Sequence, residues 1–343
     1  MEIEKESIFK SAIRSFFKAL LGMLGFYLAL VPILLIIFSV TKTRDLAPIA
    51  SKTNLKILPD LNGNQYMQPI SSPVILRINI NGVIGCDNCS NPITAEAVEA
   101  QLIDSQKGLL KGNRIKAILL YVNTPGGTVI DSDNIYQYIK AYKVKYKIPV
   151  YAFVNGLCAS GGMYISSACD KIFATDVSII GSIGVRSGPF FNYMKGMDKI
   201  GVGAKTLTIG KDKDFLNPFK TWKENEGEDL KNILKSHYIK FVDIVTTNRP
   251  NVDKEKLVNE YGAQIFDSHK SKEIGYIDED NATYNGTLIA LMKEAKIDID
   301  KSYQIVELAP KKNLFNQLFS KCLSIKSLLG IDDSEKDLLY YKY

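Results

Sequence analysis

Two apolar runs constrain this chain more than any other feature. Residues 115–122 are apolar but for Lys116, and residues 150–154 are apolar throughout. A strand with no polar side needs cover on both faces, which is the condition of a parallel sheet wrapped by crossover helices. The flanking patterns agree. Residues 74–80 are apolar and β-rich, Thr94 is placed to cap a helix over 95–110, a helical pattern occupies 129–145, and 171–174 reads as a short strand. Strand and helix in this alternation predict an α/β domain with a parallel sheet and crossover helices. Residues 205–222 read as a loop. A helix is expected over 224–247, with Leu230, Ile233, Leu234, His237 and Phe241 on one face, and shorter elements over 251–295.

The chain has 343 residues, room for one large or two small domains. Residues 19–40 carry no charge and are long enough to cross a bilayer as a helix that contains Pro32. The run exceeds the apolar segment of a cleaved signal peptide, and no small-residue cleavage site follows it, so an uncleaved anchor is expected. Charge leaves its orientation open, because Lys5, Lys10, Arg14 and Lys18 before the span are matched by Lys42, Arg44, Lys52 and Lys56 after it. The organisation expected is an N-terminal tail over 1–18, the span over 19–40, a polar connector punctuated by proline over 41–71, an α/β domain over 72–300 and a tail over 301–343. That tail is amphipathic after Pro310, through Leu314, Leu318, Cys322, Ile325, Leu328 and Leu329.

A net charge of +6 from 43 basic and 37 acidic residues is mild and scattered, which excludes a nucleic-acid partner. Cys86 and Cys89 have metal or redox spacing, but no second ligand pair accompanies them, so no metal site is expected; on an oxidising side of a membrane they would form a local disulfide. Cys158, Cys169 and Cys322 read as buried thiols. There is no phosphate-cradling glycine loop and no cofactor is implied. The glycosylation sequons at Asn281 and Asn285 have meaning only in a glycosylating secretory pathway.

The chemistry concentrates where the second apolar run ends, at Cys158-Ala159-Ser160-Gly161-Gly162. A serine between strand and helix presents its hydroxyl near the positive helix end, and the two glycines leave room for a substrate backbone. A serine nucleophile needs a base. His237 falls mid-helix on an apolar face and His269 in a polar loop, so neither is placed beside Ser160 by any motif. A lysine serves instead when its amine is kept neutral by burial, as the Ser-Lys variant of acyl transfer requires.

Four ordered blocks over 73–290 resemble the signal peptide peptidase A family, Ser-Lys proteases of the Clp/crotonase-like fold. They are Asn123-Thr124-Pro125-Gly126-Gly127, Ala159 to Ile165 followed by Asp170-Lys171-Ile172, Gly181-Ser182-Ile183-Gly184-Val185, and Gly210-Lys211-Asp212-Lys213-Asp214 continuing to Pro218. The resemblance implies a ββα spiral domain preceded by one transmembrane helix. It implies Ser160 as nucleophile and Lys213 as general base. Lys211 is the competitor, but Lys213 directly precedes Asp and lies five residues before Pro, as the family's lysine does. Ser182 would orient the lysine amine, and the N–H groups of Gly127 and Gly161 would form the oxyanion hole. The family also implies peptide substrates such as remnant signal peptides, a ring-like homo-oligomer in which Lys213 serves its own or a neighbouring chain, and contact with membrane lipid. Its location would be the bacterial cell (inner) membrane, single-pass, with the catalytic domain on the extracytoplasmic side. Thr124 departs from the family's serine, and Thr128 replaces a frequent third glycine, which is expected to narrow the substrate groove. A catalytically silent scaffold of the same fold and a crotonase-type acyl-CoA enzyme are the competing readings. Intact Ser160 and Lys213 oppose the first; the membrane span opposes the second.

Overall fold

The computed structural model describes residues 8–44, 53–86 and 93–310. The expectations for Cys89, for Cys322 and for the amphipathic tail after Pro310 fall outside these residues. The chain divides into two units, Met1–Ser51 and Lys52–Tyr343. Among the described residues the first holds one helix, α1 (Ile8–Arg44), with Pro32 inside it. Among the described residues its stretch Ile13–Pro32 alone is long and apolar enough to cross a bilayer. Phe16, Leu21, Phe26 and Tyr27 on it are exposed.

The second unit is built on an eight-stranded sheet of order β1-β8-β2-β3-β4-β6-β7, with β5 also paired to β4. Its strands are β1 (Thr53–Leu58), β2 (Val74–Asn81), β3 (Ile115–Thr124), β4 (Val150–Ala159), β5 (Lys171–Ala174), β6 (Ile179–Gly181), β7 (Ile265–Asp267) and β8 (Gln304–Pro310). Pairing is parallel from β8 through β2, β3 and β4 to β5 and β6, as the two apolar runs require; only the edge pairs β1–β8 and β6–β7 are antiparallel. Helices α2 (Ala95–Asp104), α3 (Val129–Tyr146) and α4 (Gly161–Ser166) make the crossovers. After α5 (Met194–Lys199) come α6 (Glu228–Asn248), α7 (Lys254–Lys256), α8 (Ser268–Ile274) and α9 (Tyr284–Glu294).

Successive residues of the central strands serve opposite cores, as strand geometry dictates. Leu76, Ile78, Leu120, Val122, Ala152 and Val154 pack in one core with Ile135 and Ile139 of α3 and Phe241 and Val245 of α6. Ile75, Leu119, Tyr151 and Phe153 face the other, against Leu288, Leu291 and Met292 of α9. The sheet forks at β4, whose first half pairs with β5 and whose last residues pair with β6.

Several expectations need correcting. The connector over 41–71 contains β1, and the tail from 301 begins with β8, which lies inside the sheet between β1 and β2. These strands are far apart in sequence and stabilise each other, so neither is visible in a local window. The helix placed at 95–110 stops at Asp104 and resumes only as a tight turn at Gly108–Leu110. Thr94 does cap α2, accepting from the Ala97 N–H at 3.2 Å. On α6 the apolar stripe is buried only from Phe241 onward; Ile233, about two turns earlier in the same pattern, is exposed.

Candidate active site

The serine turn is strained. Ser160 sits between β4 and α4 with φ 51° and ψ −116°, a backbone conformation that costs a non-glycine residue about 1–3 kcal/mol. Neighbouring backbone holds it there. Its N–H donates to the Gly181 carbonyl at 3.0 Å, and its own carbonyl accepts from the Tyr164 N–H at 3.0 Å. A turn of this kind between strand and helix presents its side chain above the sheet. Ser160 is half-buried, and its hydroxyl makes no hydrogen bond among the described residues.

A second turn packs on the first. Gly126, at φ 99°, lies so close that a Cβ there would stand 2.8 Å from both the Gly161 nitrogen and the Ser160 Cβ. Two backbone bonds fix the turn to the chain after β2: Ile84 N–H to the Gly126 carbonyl at 2.9 Å, and Thr128 N–H to the Ile84 carbonyl at 3.0 Å. A Cβ at Gly127 would collide with that carbonyl, and one at Gly161 would collide with the Ser132 hydroxyl, which donates to the Thr128 carbonyl at 2.8 Å. The N–H groups of Gly127 and Gly161 donate to no acceptor among the described residues. Thr128, the departure from the family pattern, is the N-cap of α3 and accepts from the Asp131 N–H at 3.2 Å.

Beside these two turns lies a recess of about 30 Å³, bordered by Gly127, Val129, Ser132, Ser160, Gly161, Tyr164, Gly184, Val185, His237 and Phe241. No motif places His237 near Ser160, yet α6 carries it to this recess. The signal was the spacing of His237 and Phe241, which puts them on one helix face. The wall is braced from behind. The Tyr164 hydroxyl donates to Asp133 at 2.7 Å, and Lys240 of α6 donates to the other Asp133 oxygen at 2.7 Å. Burial opposes ionisation of Asp133, but the Lys240 and Tyr164 hydrogen bonds outweigh it and hold the carboxyl below its usual range.

Ser182 follows Gly181, the acceptor of the Ser160 N–H, and has φ 54°; its own N–H donates to the Gln264 carbonyl at 2.7 Å. Its neighbours Gly184 and Val185 border the recess. Lys213 does not. It is exposed on the turn beginning at Gly210 and makes no ion pair among the described residues, whereas its acidic neighbours are engaged: Asp212 with Lys223 at 3.0 Å, Asp214 with Lys220 at 3.1 Å. Lys211 is likewise exposed. Large apolar side chains on the same segment stand in solvent, Leu207 at 83% and Ile209 at 99% exposure, with Phe215 and Phe219 about half exposed.

Glu226 shapes the Lys213 segment. It accepts from the Leu216 N–H at 2.8 Å and the Lys223 N–H at 3.0 Å, and it pairs with Lys220 at 3.0 Å. The Lys223 N–H bond, then the Lys220 bond, pull its carboxyl down to about 2. A depressed carboxylate stabilises the fold above its ordinary value near 4.5 and loses that contribution as pH falls through about 2. Limited proteolysis between residues 205 and 226 is therefore expected to accelerate as pH drops from 5 toward 2.5, using an acid-active protease. In Glu226→Gln cleavage should be fast already at pH 5 and nearly pH-independent; an unchanged wild-type profile in that variant would refute the assignment.

Other chemistry-bearing residues are accounted for. Cys158 is fully buried, its thiol pushed up to about 12 by burial, so it is no nucleophile at neutral pH. Cys169 is a buried free thiol, and Cys86 is disulfide-bonded. His269 is exposed and contacts Asp280 at 3.0 Å, away from the recess. The sequon threonines have structural tasks: Thr283 caps α9 and Thr287 is buried. No group of three metal-ligating side chains occurs among the described residues.

Comparison with known proteins bears on the same elements. The family model for peptidase family S49 matches residues 142–298, and that for Clp protease matches 83–180. The chain is 30% identical over 286 residues to a putative signal peptide peptidase SppA of Enterococcus faecium, an alignment covering 79% of this chain and 82% of that protein. It is 34% identical over 171 residues to a putative protease of Methanocaldococcus jannaschii, covering 50% of this chain and 54% of that one. Among solved structures, a mutant ClpP1 from Listeria monocytogenes aligns over 63% of this chain and 95% of its own, at 17% identity and a TM-score of 0.38.

Proposed function

The chain belongs to peptidase family S49, that of signal peptide peptidase A, and is a serine endopeptidase with a Clp-like fold; from that premise we propose that Ser160 is its nucleophile, Lys213 its general base, Ser182 the hydroxyl that orients the lysine amine, and the N–H groups of Gly127 and Gly161 its oxyanion hole. One observation carries this reading: a strained serine with an unbonded hydroxyl adjoins two unbonded N–H groups. A strained backbone persists only where its surroundings fix it, and such positions cluster at reacting centres.

The chemistry follows from these groups. The neutral Lys213 amine takes the Ser160 proton as Oγ bonds to the scissile carbonyl carbon. The carbonyl oxygen becomes an oxyanion and accepts hydrogen bonds from Gly127 and Gly161, donors already in place and costing no reorganisation. The carbon–nitrogen bond then breaks, the Lys213 ammonium returns the proton to the leaving amine, and an acyl group remains on Ser160. Water attacks the ester, gives its proton to Lys213, and the acid leaves as Oγ recovers a proton.

Lys213 reaches Ser160 of a neighbouring chain in this reading. In the single chain Lys213 is exposed, whereas a lysine base needs its amine shielded from water. Burial against a second copy would remove that water. The exposed Leu207, Ile209, Phe215 and Phe219 on the same segment support such a contact, since apolar surface of this kind marks an association face. A closed ring of head-to-tail copies would complete every site in the same way.

α1 serves as the anchor, with the N-terminus cytoplasmic and the catalytic unit on the extracytoplasmic side of a bacterial cell membrane. The disulfide at Cys86 supports that placement, because disulfides persist in oxidising compartments. Its substrates are hydrophobic peptides, such as signal-peptide remnants left in the bilayer. The full chain in lipid vesicles should hydrolyse an internally quenched hydrophobic peptide and should not hydrolyse a short-chain acyl-CoA thioester. Thioesterase activity without peptide cleavage would remove this reading in favour of a crotonase-type enzyme.

A further inference from the structure

We propose that Asp131 is a positioning residue for acyl transfer: through the Thr128 hydroxyl it holds the turn that carries the Gly127 N–H. The inference rests on Gly127 as an oxyanion donor.

The turn is gripped on both sides of Gly127. On the upstream side the Gly126 N–H donates to the Thr124 hydroxyl at 3.0 Å, and that hydroxyl donates to the Gly82 carbonyl. The Gly126 carbonyl accepts from the Ile84 N–H. On the downstream side the Thr128 N–H donates to the Ile84 carbonyl, and the Thr128 hydroxyl donates to Asp131 Oδ2. The other oxygen of that carboxylate accepts from the N–H of Ala95, the first residue of α2, at 2.9 Å. One side chain therefore joins the cap of α3 to the start of α2.

Capping of α3 alone does not call for this bridge. An acidic side chain at the third helical position ordinarily turns back to the N–H of the cap residue. Here the Thr128 N–H is taken by Ile84, and the Asp131 carboxylate reaches to a second helix instead. The position suits its charge, since it lies at the N-terminal ends of two helices. The pair is also backed closely: a Cβ at Gly85 would stand 2.5 Å from Thr128 Oγ1 and 2.7 Å from Asp131 Oδ2. Asp131 does not border the recess beside Ser160, so it acts through Thr128. Thr128 is the residue that departs from the family's third glycine, and a glycine there has no hydroxyl to offer. An oxyanion donor is effective because it is fixed beforehand, and a displacement of about 1 Å can cost about 100-fold in rate.

The test is steady-state hydrolysis of a quenched peptide by the full chain in detergent micelles. Rates are divided by the amount of Ser160 that a small fluorophosphonate labels at completion, which removes differences in folded fraction. Asp131→Ala should lower kcat by about tenfold to 100-fold with KM within about twofold, and should weaken a peptide aldehyde inhibitor by the same factor as kcat/KM. Asp131→Asn keeps an oxygen for Ala95 and an amide for the Thr128 hydroxyl, and should stay within about fivefold of wild type. Thr128→Val removes the hydroxyl at constant shape. It should match Asp131→Ala, and the double variant should lose no more than either single one. A kcat per labelled site within threefold of wild type in Asp131→Ala overturns the proposal, whatever its melting temperature. So does a loss in Asp131→Asn equal to that in Asp131→Ala, or additive losses in the double variant. If wild type carries no label on Ser160, the underlying reading has failed; if it is labelled there and the variants behave otherwise than stated, only the role of Asp131 falls.

Discussion

Chains carrying Ser160→Ala and chains carrying Lys213→Ala, each inactive alone, regain peptidase activity when assembled together. In the proposed ring a competent site needs an intact serine from one chain and an intact lysine from the next. Random mixing in equal amounts therefore restores about one quarter of wild-type activity in a head-to-tail ring. The expectation comes from where the two residues lie in a single chain. Ser160 borders a recess whose walls come from α3, α4, α6 and the turn after β6, and Lys213 is not among them. Lys213 is instead exposed on a segment whose acidic residues are already paired and whose apolar residues are not covered. If one chain supplied both groups, every Ser160→Ala chain would lack the nucleophile and every Lys213→Ala chain the base. Co-expression of the two variants followed by peptide hydrolysis would then read zero at any ratio.

Ser160→Ala alone should lower kcat/KM by about 10⁴-fold or more, since residues that act as one catalytic unit cannot be removed singly without losing nearly all of it. No neighbour can substitute. Cys158 holds its proton in the core, Ser132 donates to the Thr128 carbonyl, and Ser167 donates to the Met163 carbonyl. Stability should move differently from activity. Alanine at φ 51° keeps the strain, while Ser160→Gly relieves it and should raise the unfolding free energy by about 1 kcal/mol while remaining inactive. Thermal melts of the two variants against wild type, with peptidase assays on the same samples, separate the two effects. A Ser160→Gly chain less stable than Ser160→Ala would show that the turn is not strained.

Much of the fold was legible because its centre is local. Residues 115–122 and 150–154 declare strands by composition alone, and Thr94 declares a helix start. The edges were not legible. The strands Thr53–Leu58 and Gln304–Pro310 stabilise each other across most of the domain, and neither has a pattern that distinguishes it from a connector. The Ser160 turn stood out through its glycines, each needed because another backbone or side chain occupies the place of its Cβ. His237 was hidden for a different reason. Helical periodicity places it on an inward face, but what that face meets depends on how α6 crosses α3 and α4, and the Lys240–Asp133 and Tyr164–Asp133 bonds that fix this crossing join residues far apart in sequence. Lys213 was chosen by resemblance alone, since nothing in a lysine-rich exposed loop marks one amine as a base.

Activation of Ser160 by Lys213 underlies the proposed mechanism. Its most direct measurement is the rate of phosphonylation by a small fluorophosphonate, with the adduct located by peptide mapping, on full-length wild type and on Lys213→Ala. An adduct should form on the peptide containing Ser160 in wild type, and labelling of the same residue should be about 100-fold slower without the lysine, the usual scale of general-base assistance. An adduct on any other residue, or labelling of Ser160 at equal rates in both proteins, would contradict it.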